Sequence, residues 1–347
     1  MDIGKKITAS IVIPCRNEEK FIGKCIDSIA ANDFPKDELE VIVVDGMSED
    51  KTREIVRHYS MQYPFIKLIE NRKKIVPSGL NIGIQEASGA LIMRMDAHNI
   101  YAENYISKCV EYLNNYPADN VGGIWITLPG SDSAVAKAIA LAVAHPFAAG
   151  NAYYRIGSKE PRYVDTVPFG CYRREVFDRI GLFDEELIRN QDDELNLRLI
   201  KNGGRILLGP DIVSYYHARD SLKKLWKMYF QYGYFKPLVA KKIGKILTLR
   251  QLVPVSFVTS LILSFLMAFF MKPFMYIFIA LSLAYLSVNI ACSFQIAYKN
   301  SFRHFMLPLI FATIHFAYGF GYLKGIADFV LFRNLRKKTV TDISLTR

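Results

Sequence analysis

Four short apolar runs punctuate the first hundred residues, at Ser10–Pro14, Leu39–Val44, Ile66–Glu70 and Ala90–Met95. Each is continuous instead of alternating, as expected of strands covered on both faces in a parallel sheet. The stretches between them have helical periodicity. Ile22, Cys25, Ile26 and Ile29 follow the i, i+3, i+4, i+7 spacing of one buried face. A second helix is predicted over Glu49–Gln62, opening with the acids that favour a helix N-terminus. Repeated strand–helix–strand order predicts a doubly wound α/β sheet, which binds ligands at the carboxyl ends of its strands.

The pattern changes after residue 250. Gln251 to Met271 carries no charge and is long enough to span about 30 Å of hydrocarbon. Lys272-Pro273 then breaks the run as a hairpin would, and a second uncharged stretch reaches from Phe274 to Tyr298. A third runs from Phe305 to Leu323 but contains His315 and several glycines. Lys236, Lys241, Lys242, Lys245 and Arg250 before the first span, with Lys299 and Arg303 after the second, place these flanks on the cytoplasmic side. A full third crossing would put Arg333, Arg336, Lys337 and Lys338 outside. Either that segment is re-entrant or interfacial, or the positive-inside tendency fails here. The expected division is a soluble domain over 1–220, a basic amphipathic interfacial segment over 221–250, membrane helices over 251–332 and a basic tail over 333–347. The Ala-rich run Ala134–Ala149, interrupted by Lys137 and His145, predicts an internal or interfacial helix.

Composition supports the division. With 51% hydrophobic, 13% aromatic and 22% charged residues among 347, disorder and fibrous repeats are excluded. The formal charge of +11 suggests nucleic acid until it is located. Residues 251–347 hold nine basic residues against Asp328 and Asp342, whereas 1–250 are nearly balanced. The basic residues flank lipid-length runs and form no stripe on a soluble face, so nucleic acid is not an expected partner. Cys15, Cys25, Cys109, Cys171 and Cys292 lack any CxxC pairing and are expected to be reduced. No signal peptide is evident before Arg16, so the front domain is expected to be cytoplasmic.

The strand ends carry the candidate chemistry. The first run ends in Pro14-Cys15-Arg16-Asn17-Glu18-Glu19, the second in Asp45-Gly46-Met47-Ser48-Glu49-Asp50, and the fourth in Asp96-Ala97-His98-Asn99. A single acid in such a place is usually a helix cap or turn former. Three polar clusters, with Asp45 and Asp96 converging on one sheet edge, suggest a ligand site. Neither GxGxxG nor GxxxxGK[ST] is present, so a bound nucleotide would be held by carboxylates and a metal.

These residues, taken in order, resemble glycosyltransferase family 2. The match runs through Ile11-Val12-Ile13-Pro14-Cys15-Arg16-Asn17-Glu18, Val43-Val44-Asp45-Gly46-Met47-Ser48 and Pro77-Ser78-Gly79-Leu80-Asn81-Ile82-Gly83. It continues with Asp96-Ala97-His98 in place of Asp-x-Asp, the segments from Phe169 and Gly181, and Gln191-Asp192-Asp193-Glu194-Leu195-Asn196-Leu197-Arg198. The Asp-Ala-His variant and the C-terminal spans are most similar to the succinoglycan-type exopolysaccharide glucosyltransferase branch. The resemblance implies a glycosyltransferase A-type mixed sheet and inverting transfer of a hexose from a UDP-linked donor to a polyprenyl-linked saccharide. It also implies multi-pass attachment to the cell membrane, with membrane lipids as neighbours.

Within that resemblance, Pro14, Arg16, Asn17, Glu18, Asp45, Ser48, Asn81, Gly83 and Asp96 form the nucleotide-sugar site. Asp96, with His98 and His217, would hold Mn²⁺ or Mg²⁺. Imidazole suits Mn²⁺ better, or leaves Asp96 as the sole protein ligand. Asp192 is the expected catalytic base, although Asp193 and Glu194 are adjacent acids and an acid-rich helix cap would look the same. Asp193, Trp226, Gln231 and Tyr234 are the acceptor-side candidates. Lys223, Lys224 and Lys227 among Leu222, Leu225, Trp226 and Met228 also make an interfacial helix. Two other readings remain: a polyprenyl-phosphate glycosyltransferase, and an inactive transferase fold acting as a membrane assembly partner.

Overall fold

The computed structural model describes residues 7–244, 248–299 and 306–332. Lys245, Arg303, the 333–347 tail with Arg333, Arg336, Lys337 and Lys338, and the first six residues lie outside the described set. The chain divides into two compact units, one of 1–126 with 157–216 and one of 127–156 with 217–347.

The first unit is built on β1 (Ala9–Cys15), β2 (Leu39–Asp45), β3 (Ile66–Glu70) and β4 (Leu91–Arg94). They pair in parallel, in the order β3-β2-β1-β4. β1 and β2 are buried at all seven positions, as their unbroken apolar runs require. Between the strands lie α1 (Ile22–Ala30), α2 (Thr52–Gln62) and α3 (Val76–Glu86). Ile22, Cys25, Ile26 and Ile29 are the buried face of α1. α2 begins three residues later than its acids suggested, because the Asp50 carboxylate accepts hydrogen bonds from both the Thr52 N–H and its hydroxyl.

The sheet then becomes mixed. After β5 (Ile100–Tyr101) and α4 (Tyr105–Asn115) come β6 (Asn120–Leu128), β7 (Arg162–Tyr163), β8 (Cys171–Arg173) and β9 (Ile206–His217). β8 joins β4 and β6 antiparallel, and β9 carries β5 and β7. The fold is the expected mixed α/β sheet with helices.

In the second unit the Ala134–Ala149 run is two helices, α5 (Ala134–Val143) and α6 (Pro146–Ala149), followed by α7 (Tyr153–Ile156). His145 and Pro146 cause the break: the imidazole Nδ1 accepts from the Phe147 N–H at 3.1 Å, capping α6. Back in the first unit, α8 (Glu175–Ile180) and α9 (Gln191–Lys201) lead to β9. The second unit resumes with α10 (Leu222–Ile243), α11 (Val253–Ala268), α12 (Lys272–Lys299) and α13 (Leu307–Ile326). Two helical stretches, Leu249–Ala268 and Lys272–Lys299, are long and apolar enough to cross a membrane. Their outer surface is apolar and open, with Leu266, Phe270, Leu283 and Phe294 among the exposed residues. α13, the third apolar run, instead buries Ile310, Phe311, Ile314 and Gly321 within its own unit. All five cysteines are free thiols.

Candidate active site

The loops after β1 and β2 are joined by hydrogen bonds. Asn17 N–H donates to Ser48 Oγ at 2.8 Å, Glu49 N–H to Asn17 Oδ1 at 2.8 Å, and Glu18 N–H to Thr52 Oγ1 at 2.7 Å. Asn17 and Met47 hold left-handed backbone conformations, with φ of 54° and 57°. Such conformations persist only where surrounding contacts impose them, and they cluster at binding sites. Asp45 is fully buried at the end of β2. Its Oδ2 accepts from Ser48 N–H at 2.9 Å, its Oδ1 accepts from the Ser48 hydroxyl, and Arg53 Nε lies 3.6 Å away. Ser48 thus occupies both oxygens of the Asp45 carboxylate. Arg16 is more open and pairs with Glu49 at 3.7 Å.

Asn81 and Gly83 occupy α3. Asn81 exchanges hydrogen bonds with the Phe183 backbone at 2.9 Å in each direction and donates to Glu185 Oε1 at 3.3 Å. A β-carbon on Gly83 would collide with the Val12 side chain. In this structure both positions anchor α3, while Pro14 packs beside Gly79 on the neighbouring turn.

Asp96 and Asp192 meet through a residue absent from the sequence-based site. Arg94, the last residue of β4, reaches Asp96 Oδ1 at 2.6 Å with one terminal nitrogen and Asp192 Oδ2 at 2.8 Å with the other. Burial works against its charge, but the Asp192 and Asp96 carboxylates outweigh that penalty and hold the guanidinium firmly protonated. The signal was present: Arg94 precedes Asp96 by two residues, the spacing of one strand face, and is the only charge in a buried run. Asp96 N–H donates to the Tyr101 hydroxyl at 2.8 Å, and His98 Nδ1 lies 3.6 Å from Glu18 Oε1.

The three consecutive acids of α9 have different environments. Glu194 is buried and bound in a two-pronged pair with Arg198, at 2.8 Å for both contacts. Arg198 also donates to the Leu182 carbonyl, fixing the helix start. Asp193 lies next along the helix, and its charge bears on Asp192. Asp192 is partly buried: Oδ2 meets Arg94, while Oδ1 is turned inward and makes no hydrogen bond among the described residues. Burial pushes its carboxyl up to about 6, Arg94 pulls it back, and Asp96 and Asp193 add to the rise. Leu195 and Leu199 anchor the helix, both fully buried.

One turn beyond Asp192, Asn196 fixes the rotation of α9. Its Oδ1 accepts from Asn120 Nδ2 and the Tyr172 hydroxyl, both at 3.0 Å, and its Nδ2 donates to Thr166 Oγ1 at 2.9 Å. Asn196→Leu would leave two buried polar groups, Asn120 and Tyr172, and the half-buried Thr166 without this partner. It is expected to lower unfolding stability by about 3 kcal/mol, read as a depressed thermal midpoint.

The remaining candidates belong to the second unit. His217 ends β9, Trp226 is exposed on α10, and Gln231 is buried there. Tyr234 donates its hydroxyl to Asp328 Oδ2 at 2.9 Å and packs on Phe329.

Residues 10–181 match the family model described as glycosyl transferase family 2. The chain is 33% identical over 242 residues to the Methanococcus voltae dolichyl N-acetyl-alpha-D-glucosaminyl phosphate 3-beta-D-2,3-diacetamido-2,3-dideoxy-beta-D-glucuronosyltransferase, covering 67% of this chain and 74% of that protein. The chain belongs to glycosyltransferase family 2. This transferase is also 31% identical to the succinoglycan biosynthesis protein ExoA of Rhizobium meliloti, over 71% of its own length and 74% of the relative's. Among solved structures, the mannosyltransferase PcManGT from Pyrobaculum calidifontis, in complex with GDP-Man and Mn²⁺, shares the fold. Its TM-score is 0.61 at 18% identity, covering 93% of the transferase and 88% of that chain.

The donor set at Asp96 suits a divalent ion in one way. Oδ1 is taken by Arg94 and Oδ2 has no protein partner among the described residues, with an imidazole two residues on. Among the described residues no three His, Cys, Asp or Glu side chains converge as a metal cage. Protein alone thus offers a cation one carboxylate oxygen here, and any ion would need the rest of its shell from a ligand and water.

Proposed function

We propose that this transferase moves a hexose from a UDP-linked donor to a polyprenyl-linked saccharide at a membrane surface, with inversion at the anomeric carbon. The observation that carries the proposal is the half-buried Asp192 at the carboxyl edge of the sheet, joined through Arg94 to Asp96, whose Oδ1 has no hydrogen-bond partner among the described residues. A buried acceptor atom lacking a donor is costly, and a small rotation of the half-exposed carboxylate would let the hydroxyl of an incoming sugar satisfy it. As that oxygen attacks the anomeric carbon, its proton passes to Asp192 Oδ1. The carbon–oxygen bond to the diphosphate breaks, and the diphosphate leaves with the electron pair. A single displacement of this kind inverts the centre and needs no covalent intermediate.

Asp96, with His98, would hold Mn²⁺ or Mg²⁺, which would neutralise charge on the departing diphosphate. Asp45 would bind the base or ribose once Ser48 turns, and Arg16, Asn17 and Glu18 line the same edge. The two long apolar helices support membrane anchoring, and Lys236, Lys241, Lys242, Arg250 and Lys299 at their flanks support a cytoplasmic catalytic unit. The Methanococcus relative, which acts on a dolichyl-linked phosphate sugar, supports a lipid-linked acceptor, and the Rhizobium succinoglycan biosynthesis protein supports a role in glycan synthesis.

The test is a panel of labelled nucleotide sugars incubated with the full chain and membrane lipid extract, with and without Mn²⁺. The expected result is Mn²⁺-stimulated transfer to a lipid-soluble saccharide, one hexose heavier by mass spectrometry and inverted by the anomeric coupling constant. Product on bare polyprenyl phosphate would move the acceptor assignment. No transfer from any donor, together with no UDP binding at millimolar concentration, would overturn the enzymatic reading.

A further inference from the structure

The geometry points to Arg94 as a positioning residue that fixes the base Asp192 relative to the donor-side carboxylate Asp96. The inference rests on the reading of Asp192 as the base. Three observations carry it. First, one guanidinium serves two carboxylates 96 positions apart in the chain, through different terminal nitrogens, at 2.6 and 2.8 Å. The guanidinium fork is planar and rigid, so binding both acids sets their separation and mutual angle, which an ammonium cannot do.

Second, Arg94 is itself held. It ends β4, its N–H donates to the Gly170 carbonyl at 3.0 Å, and its guanidinium carbon lies 5.6 Å from the centroid of the Phe169 ring. Phe169 has a φ of 48°, a costly backbone for an aromatic residue, and its carbonyl accepts from the Tyr105 hydroxyl at 3.0 Å. The aromatic face is thus fixed beneath the cation. Third, Nε of Arg94 makes no hydrogen bond among the described residues, so the two carboxylates are its recorded polar partners. A residue serving only to cancel buried charge would need no shared fork, and one lysine could do it.

That difference supplies the test. Arg94→Lys preserves the charge but reaches one carboxylate at a time. Its kcat is expected to fall about 100-fold through misplacement of the base. Donor KM, thermal midpoint and metal-free UDP affinity by calorimetry should stay close to those of the natural protein. Arg94→Ala should lose more, and millimolar guanidinium chloride should restore part of its kcat where methylammonium chloride does not. Full activity in Arg94→Lys would overturn the inference while leaving the base in place. Near-full turnover by Asp192→Asn, run alongside, would instead overturn the base and the inference with it. Collapse of the thermal midpoint in both Arg94 variants would make the residue a fold determinant and overturn its positioning role.

Discussion

Asp192→Asn will reduce sugar transfer by about 10²–10⁴-fold, the range supplied by a positioned general base. It will do so without unfolding the protein or abolishing UDP binding. The amide has the shape of the carboxylate, so its oxygen can still accept from Arg94. What disappears is an atom able to take the acceptor's proton, since Oδ1 makes no hydrogen bond that asparagine would sever. Stability should hold for a second reason. The folded-state pKa of Asp192 is pushed up to about 6, chiefly by burial. The native chain therefore retains a proton that the unfolded chain releases between its ordinary value and 6. Folding is favoured by that proton at low pH, and the favour is lost as pH rises through about 6. At neutral pH the ionised group opposes folding, so a neutral amide costs little. Catalysis has the opposite requirement: in the natural enzyme kcat should fall tenfold per pH unit below about 6, as Asp192 becomes protonated. The neighbouring acids separate the readings. Glu194→Gln should lower the thermal midpoint by weakening the Arg198 pair, with a smaller change in kcat. Turnover by Asp192→Asn at the natural rate would remove Asp192 from the chemistry.

The distinction among those three acids shows where sequence pattern stops being informative. Asp192, Asp193 and Glu194 are all acids in one helix turn, and it is their partners that tell them apart. Arg198 is four residues from Glu194 and lies within reach of local reasoning. Arg94 is nearly a hundred residues from Asp192: its lone charge in an apolar run marks it, but nothing local names its partner. The parallel strands were legible because burial on both faces leaves an unbroken apolar signature. Asn81 and Gly83 show what a motif leaves out: nothing in it announces their contacts with Phe183 and Val12. The left-handed residues Asn17, Met47, Phe169 and Asn190 lie beside the site or just ahead of α9. No glycine marks those four places, so composition alone could not reveal the backbone strain.

Gly321→Val will prevent the second unit from assembling normally, and this should be the largest stability effect among the substitutions considered. α10 and α13 approach each other backbone to backbone. A β-carbon on Gly233 would strike the Tyr318 carbonyl, and one on Gly321 would strike the Phe230 carbonyl. Gly325, one turn further along α13, meets the Tyr234 carbonyl in the same way. Glycines four residues apart on one face permit such contact because no side chain intervenes, and the reward is dispersion and weak Cα–H···O attraction along the seam. A carbonyl fixed in a helix cannot rotate away as a long side chain can, so the added carbon must push the axes apart. The separation would also threaten the Tyr234–Asp328 hydrogen bond, together with the bonds that join His315 to the Tyr285 hydroxyl at 3.0 Å and the Phe147 carbonyl at 2.8 Å. Overpacking alone costs about 1–3 kcal/mol, and loss of these bonds adds to it. The expected outcome is poor recovery in detergent, with aggregation on size exclusion and a lowered thermal midpoint. Gly321→Ala should show a weaker form of the same defect. Leu266→Ala, on the open surface of α11, should leave both measurements unchanged. A Gly321→Val protein as stable as the natural one would show that α10 and α13 do not meet along this seam.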